Sequence, residues 1–377
     1  MRVLMVCPSY QPQPIACGVG DYTVRLAEEL ARQGEDMQVL CSTAYRGGDG
    51  GAVRVIPDVE RWTLGVARDV LRLRMRTRAV LHLQYTPVLY GPHAGFRLVT
   101  ALARLRRARV PTVVTFHTLT GGSRWSPLWA VLLLASASAS IAANAEVEGM
   151  VRRRLPALAR RLRTIAIGSN VEPAGTAGDG SGRRLVGVLP AAPLLVHFGL
   201  IYPGKGLETL LHAFETLRRR HPTARLVLVG DTPPESEAYR AVLQRMIPQN
   251  GMGAVTWAGR RSEREVSSIL AAADLFVAPY DDGASTRRGS LLAAVAHGLA
   301  IVTTTPALAS ADFRDGDTVA IVPPRNPDAL AARLDTLLAT PEACARLRAG
   351  ARGLAARFAW PRIAEDTRQV YERAVAG

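Results

Sequence analysis

A chain of 377 residues with 48% hydrophobic content exceeds what one core usually organises, so two domains are expected. Four scattered cysteines (Cys7, Cys17, Cys41, Cys344) without CxxC spacing speak against a disulfide framework or a zinc site and fit a reducing cytosol. The formal net charge is +15, and among 47 basic side chains the only lysine is Lys205.

The chain opens on Met1-Arg2-Val3-Leu4-Met5-Val6-Cys7-Pro8, an apolar run too short for a signal peptide and read as a buried strand over 3–7. A cytoplasmic protein is expected. In the loop that follows, Gly18 and Gly20 let backbone amides approach a ligand where a helix over 21–33 begins, and anions are favoured there. The spacing is not GxGxxG, so a nicotinamide dinucleotide site is not supported. Asp21 is either the N-cap of that helix or a side chain turned toward a ligand.

Further strands are expected over 37–41, 80–84, 112–116, 140–143 and 164–167. The apolar stretch over 127–143 falls short of the ~20 residues a spanning helix needs and reads as a core helix followed by a strand. His117 closes the run Val113-Val114-Thr115-Phe116, which puts an imidazole at the carboxyl edge of a parallel strand, where open α/β sheets bind ligands. A histidine there is structural as readily as catalytic. Asn144 and Asn170 follow later apolar runs and either line the same rim or make loop hydrogen bonds.

Arginines cluster at positions 72–78, at 104–109, and at 152–154 with 160–163. Nucleic acid, an anionic membrane surface, an acidic substrate or plain solvation each fit such a face. Nucleic acid is not expected, because aromatics are only 6% and no stretch interleaves them with basic residues. Leu71, Leu73, Met75, Leu102 and Leu105 among the arginines favour peripheral contact with an anionic membrane, at its inner face.

A Gly-rich patch over 175–182 reads as a linker, after which the α/β alternation starts afresh. Strands are expected over 194–198, 225–229, 255–258, 275–279, 300–304 and 319–322. Helices are expected over 207–219, 235–246, 263–273, 290–296, 328–339 and 360–375. Lys205 stands between Gly204 and Gly206 in the strand-to-helix loop that begins at Gly199. A compact ammonium enters a phosphate cage where a planar guanidinium does not fit. The loop Pro279-Tyr280-Asp281-Asp282-Gly283-Ala284-Ser285-Thr286-Arg287-Arg288-Gly289-Ser290 offers two arginines, hydroxyls and free amides at a helix N-terminus, which suits a phosphate as well as an ordinary capped helix.

Together these segments resemble the retaining GT-B glycosyltransferases of family 4 (group 1), over nearly the full length. The resemblance rests on the glycine loop after strand one, Thr115-Phe116-His117-Thr118, the loop from Gly199 to Gly206, Leu226-Val227-Leu228-Val229-Gly230 and the segment from Pro279 to Gly298. It implies two Rossmann-like domains with parallel sheets facing across a cleft. The N-terminal, acceptor-side domain is expected over 1–174, the linker over 175–182 and the nucleotide-sugar domain over 183–357, with 358–377 packing back on the first domain.

The implied reaction is metal-independent hexosyl transfer with retention, from a UDP- or GDP-linked sugar to an unidentified acceptor, without a cofactor. His117 and Lys205 would be catalytic. Gly18, Gly20, Gly199, Lys205, Ser285, Arg287, Arg288, Gly289 and Ser290 would bind the donor, with Asp21 facing the acceptor. The family commonly places two glutamates where this chain has Ser285 and Ala293, and an arginine where it has Leu200. That departure keeps a sugar-nucleotide epimerase or hydrolase, and a non-catalytic sugar-nucleotide-binding protein, as alternatives.

Overall fold

The computed structural model describes residues 1–13, 17–48, 51–62, 70, 79–90, 110–119, 121, 125–174, 180–247 and 253–376. The chain divides into two compact units, Met1–Gly168 with Trp360–Gly377, and Ser169–Ala359.

In the first unit, β1 (Arg2–Val6), β2 (Asp36–Ser42), β3 (Arg54–Val59), β4 (Val80–Tyr85), β5 (Thr112–Phe116), β6 (Ala139–Ala142) and β7 (Leu162–Thr164) form a parallel sheet. Its order is β3-β2-β1-β4-β5-β6-β7. Strands buried on both faces read as continuous apolar runs, which is why β1 and β5 were plain in the sequence. The order reverses between β1 and β4, so the loops after these strands splay apart and leave a crevice at their carboxyl ends.

One face is covered by α1 (Gly18–Arg32) and by the last helix, while α2 (Ser126–Ser136) and α3 (Ala145–Arg154) cover the other. A one-turn helix, α4 (Pro156–Ala159), follows α3.

The second unit opens with a short helix, α5 (Ser181–Leu185), followed by β8 (Leu194–Phe198), α6 (Leu207–Arg218), β9 (Arg225–Val229) and α7 (Glu237–Arg245). It continues through β10 (Val255–Gly259), α8 (Glu263–Ala271), β11 (Leu275–Ala278), α9 (Gly289–Ala296), β12 (Ile301–Thr304), β13 (Ala320–Val322), α10 (Pro327–Ala339) and α11 (Pro341–Ala355). The sheet order β10-β9-β8-β11-β12-β13 has its reversal between β8 and β11. The loops holding Lys205 and Arg288 follow those two strands. Leucines of α6 and α10 cover one face as a single apolar cluster. Ser262 and Glu265 start α8 with reciprocal capping bonds.

The last helix, α12 (Trp360–Ala376), belongs to the first unit and packs on α1. Ile363, Ala364, Thr367, Val370, Tyr371 and Ala374 recur at helical spacing and form its buried face. Trp360 lies so close over Gly168 that a Cβ there would sit 2.7 Å from the indole.

Several details differ from the sequence reading. Strand β3 carries a proline, Pro57, and two charged side chains, Arg54 and Asp58, at the sheet edge, and its weak alternation hid it. Helix α1 begins at Gly18 with Cys17 as its N-cap, so Asp21 lies inside the first turn and is not the cap. The last strand of the first sheet spans 162–164, ahead of the expected 164–167. The expected linker 175–182 ends inside α5, and residues 169–174 go with the second unit. Of that linker, residues 175–179 lie outside the described residues, as do the arginine clusters at 72–78 and 104–109. Among the described residues no helix is long and apolar enough to cross a membrane.

Candidate active site

In the second unit the loops after β8 and β11 meet because three glycines allow it. Gly206 has φ 71°, and a Cβ on it would fall 1.8 Å from the Pro279 carbonyl oxygen. Gly230 has φ 139° and lies equally tight on Gly199, while Gly283 turns the second loop against Thr305. The Asp281 amide then donates to the Gly204 carbonyl at 3.2 Å, tying one loop to the other.

This closeness buries Lys205 to 7% exposure. Its Nζ lies 4.8 Å from the Tyr202 ring centre and 5.5 Å from that of Tyr280. The Arg288 guanidinium stacks on the same Tyr280 ring at 3.9 Å. Arg287 and Arg288 both pair with Asp282, the former at 2.7 Å. Two arginines thus share a single carboxylate, and Lys205 pairs with none among the described residues. Burial, followed by the Arg288 charge, pushes the Lys205 ammonium down to about 8.

An anion placed here would relieve that strain. The Gly289 and Ser290 amides, first in α9, have no acceptor among the described residues. The Ser290 hydroxyl shares a 3.0 Å hydrogen bond with the Tyr280 hydroxyl. Both Ser290 Oγ and Lys205 Nζ lie within 4 Å of the Cβ position of Gly199. Ammonium, hydroxyl and helix amides therefore surround one small space, a geometry suited to phosphate oxygens.

In the first unit, His117 follows β5 and is half-buried. Its backbone is pinned by donation from its N–H to the Tyr85 carbonyl and by the Asn144 side-chain amide on its own carbonyl, at 2.9 Å. Asn144 also caps α3 by accepting from the Val147 amide. The imidazole Nε2 is 2.8 Å from Gln84 Oε1, and the Tyr22 ring stands edge-on at 4.9 Å. Burial lowers the His117 pKa, so the ring is neutral. Gly20 lets α1 approach the preceding loop, since a Cβ would fall 1.9 Å from the Ser9 carbonyl oxygen, whereas a Cβ on Gly18 would meet nothing within 4 Å among the described residues.

Two sequence profiles match this chain. That of the "Glycosyltransferase Family 4" covers residues 16–172, and that of the "Glycosyl transferases group 1" covers 192–340. The phosphatidyl-myo-inositol mannosyltransferase of Mycobacterium tuberculosis is 30% identical over all of this chain and 98% of its own length. This chain is a group 1 glycosyltransferase.

The D-inositol 3-phosphate glycosyltransferase of Frankia alni is 27% identical, over 96% of this chain and 95% of that one. Among solved structures, the sucrose-phosphate synthase of Thermosynechococcus elongatus superposes with a TM-score of 0.75 at 20% identity, covering 100% of this chain and 99% of that one. The Anabaena protein HepE in complex with UDP and glucose gives 0.72 at 19%, covering 98% of each. The fold of this group 1 glycosyltransferase is accordingly GT-B, two Rossmann-like α/β units with parallel sheets.

Within the second unit the structure gathers Gly199, Lys205, Arg287, Arg288, Gly289 and Ser290 around one space. Gly199 contributes room and not an amide, because its N–H is committed to the Val229 carbonyl at 2.9 Å. Ser285 is engaged in the turn itself: its Oγ accepts from the Arg287 amide and its carbonyl from the Arg288 amide. Ala293 is fully buried in α9, so the position offers no polar group to a ligand. Of the two asparagines expected at a rim, Asn144 stands beside His117 in the first unit. Asn170 belongs to the second unit, with its side-chain oxygen beside Gly289.

Sequence reasoning missed Tyr202, Tyr280 and Gln84. The signal for Gln84 was a second polar residue, two after His82, near the carboxyl end of a buried strand. The tyrosines stand out only once the two loops are seen to touch.

Proposed function

We propose that this glycosyltransferase moves a hexosyl group from a nucleoside diphosphate sugar to an acceptor hydroxyl, with retention of configuration and without a metal ion. The observation that carries this reading is the buried Lys205 ammonium, held against two tyrosine rings and next to the free amides of α9, with no carboxylate within ion-pairing distance of it among the described residues. A diphosphate satisfies all of these groups together. Lys205 and the α9 amides would neutralise the charge that grows on the leaving diphosphate, the task a divalent ion performs elsewhere. Arg287 and Arg288, which face Asp282 in this structure, supply the remaining positive charge.

In the proposed reaction His117 contacts the transferred sugar, Asp21 faces the acceptor, and Gly18 and Gly20 open the start of α1 to the donor. Retention follows if a leaving phosphate oxygen takes the acceptor proton on the face from which it departs. The HepE complex with UDP and glucose makes UDP the first nucleotide to test, with GDP as the comparison.

Titration calorimetry with UDP and GDP, followed by mass spectrometry of donor and product, tests the proposal. Lys205→Arg is expected to fold normally and lose most transfer activity, because the longer planar head displaces the diphosphate. Wild-type turnover in that variant refutes the assigned role. Transfer that persists in EDTA supports a metal-independent reaction, and loss of it overturns that part. Binding without transfer or hydrolysis favours a sugar-nucleotide-binding protein instead.

A further inference from the structure

The face of the first sheet beneath α1 and α12 is apolar except for one file of polar side chains. His82 and Gln84 on β4, Thr115 on β5 and Tyr371 on α12 all lie there with no solvent exposure. Buried polar groups are tolerated when each finds a partner, and these do. His82 Nδ1 is 2.7 Å from the Tyr371 hydroxyl, and His82 Nε2 is 2.7 Å from Thr115 Oγ1. The Gln84 side-chain nitrogen is 3.4 Å from the same His82 Nε2 and 3.6 Å from Met5 Sδ. Gln84 Oε1 ends the file at His117 Nε2, 2.8 Å away.

The proton pattern of this file follows from one group that only accepts. A thioether sulfur has no proton to give, so Met5 fixes the nitrogen of the Gln84 amide on its own side. His82 Nε2 then accepts from Gln84 and from the Thr115 hydroxyl, which makes His82 the Nδ1–H tautomer donating to Tyr371. Gln84 turns its oxygen to His117 and accepts from His117 Nε2–H. The other nitrogen of His117 has no partner among the described residues.

We infer that Gln84, itself oriented by His82 and Met5, is a positioning residue that fixes His117 as the Nε2–H tautomer and so presents the Nδ1 lone pair to a hydroxyl of the donor sugar. The inference rests on the proposed reading for the sugar contact, but not for the tautomer. A ring free to exchange tautomers would spend part of its time offering a donor where an acceptor is needed. The neutral state of both rings, favoured by burial, keeps the assignment intact near neutral pH.

The test is long-range 15N–1H correlation on the full chain with 15N-labelled histidine, with His117 and His82 assigned from His117→Asn and His82→Asn. A static Nε2–H pattern for His117 and an Nδ1–H pattern for His82 are expected. Nδ1–H at His117, or averaging between tautomers, overturns the inference in the unmodified protein, whatever any variant does.

Gln84→Met keeps the length and removes the acceptor. It should mix the His117 tautomers and lower kcat about tenfold, the size of one neutral hydrogen bond, with UDP affinity unchanged. Gln84→Glu restores an acceptor oxygen and should recover most of the turnover. If Gln84→Met loses kcat and UDP affinity together with a static Nε2–H ring, the role is packing and the positioning assignment fails. If the tautomers behave as expected but no nucleotide sugar is bound or turned over, the functional reading fails and the tautomer assignment stands.

Discussion

Burial and charge oppose each other at Lys205, and that opposition has a measurable sign. The ammonium sits at about 8, below its ordinary 10.5, because burial and then Arg288 disfavour the charged form. A bound diphosphate favours it and raises the pKa again. Above pH 8 binding must therefore take up a proton, and UDP affinity should fall by up to about tenfold per pH unit until the pKa of the complex is passed. Calorimetry at pH 7 and pH 9.5 measures this, and Lys205→Met should bind more weakly with no such slope over that interval. The lysine itself was legible in the sequence as a compositional exception between two glycines. Its tyrosine neighbours were not, since Tyr202 and Tyr280 meet only across two loops on different strands. Ser285 was legible only as a hydroxyl at a suggestive spacing; that it also accepts from the Arg287 amide, in the turn that presents Arg287 and Arg288, was not.

At the scale of elements, the second-unit site depends on two strand ends being adjacent and their loops touching. The strands were legible because parallel, doubly buried strands are written as apolar runs; β8 and β9 have the expected bounds. Loop contact was not legible, because it depends on which glycine faces which carbonyl. Gly206→Ala tests that contact. The new methyl meets the Pro279 carbonyl oxygen in a backbone region that L residues avoid, so the loops must part. A loss of about 3 kcal/mol in stability is expected, from overpacking and left-handed strain together, along with loss of UDP binding. Denaturant unfolding and calorimetry read both, and retention of full UDP affinity would sink the argument. In the first unit, a helix start hidden in the sequence matters as much. Because α1 begins at Gly18, directly after the loop that leaves β1, its first turn stands at the carboxyl edge of the sheet that also holds His117, three residues earlier than periodicity suggested. Glycines at a helix start weaken the periodic signal that marks its beginning.

For the whole molecule, two fully buried histidines make stability depend on pH in both units. His82 in the first unit is lowered to about 3 and His197 in the second to about 4, in each case chiefly by burial. The unfolded chain protonates them near 6.5, while the folded chain resists until far lower pH. Stability is then lost as pH falls from about 6.5 toward 4, since the unfolded state binds more protons across that window. Scanning calorimetry should show lower melting temperatures at pH 5 than at pH 7.5 for both units, with the first unit's shift reduced in His82→Gln. A first-unit shift unchanged by that substitution would assign the effect to other groups, His117 or carboxylates. The division into two units was foreseeable from length and from the restart of the α/β alternation, but its boundary was not. Residues 169–174 read as the tail of one domain, yet their hydrogen bonds lead to Glu263 and Ser267 of the second unit. A last consequence comes from arginine's near monopoly of the positive charge. Guanidinium groups do not react with aldehydes under mild reductive conditions, so apart from the chain's terminal amine, reductive methylation with 13C-formaldehyde has one target. The protein thereby carries a built-in spectroscopic reporter, a single dimethyl-lysine signal located where its proposed substrate binds.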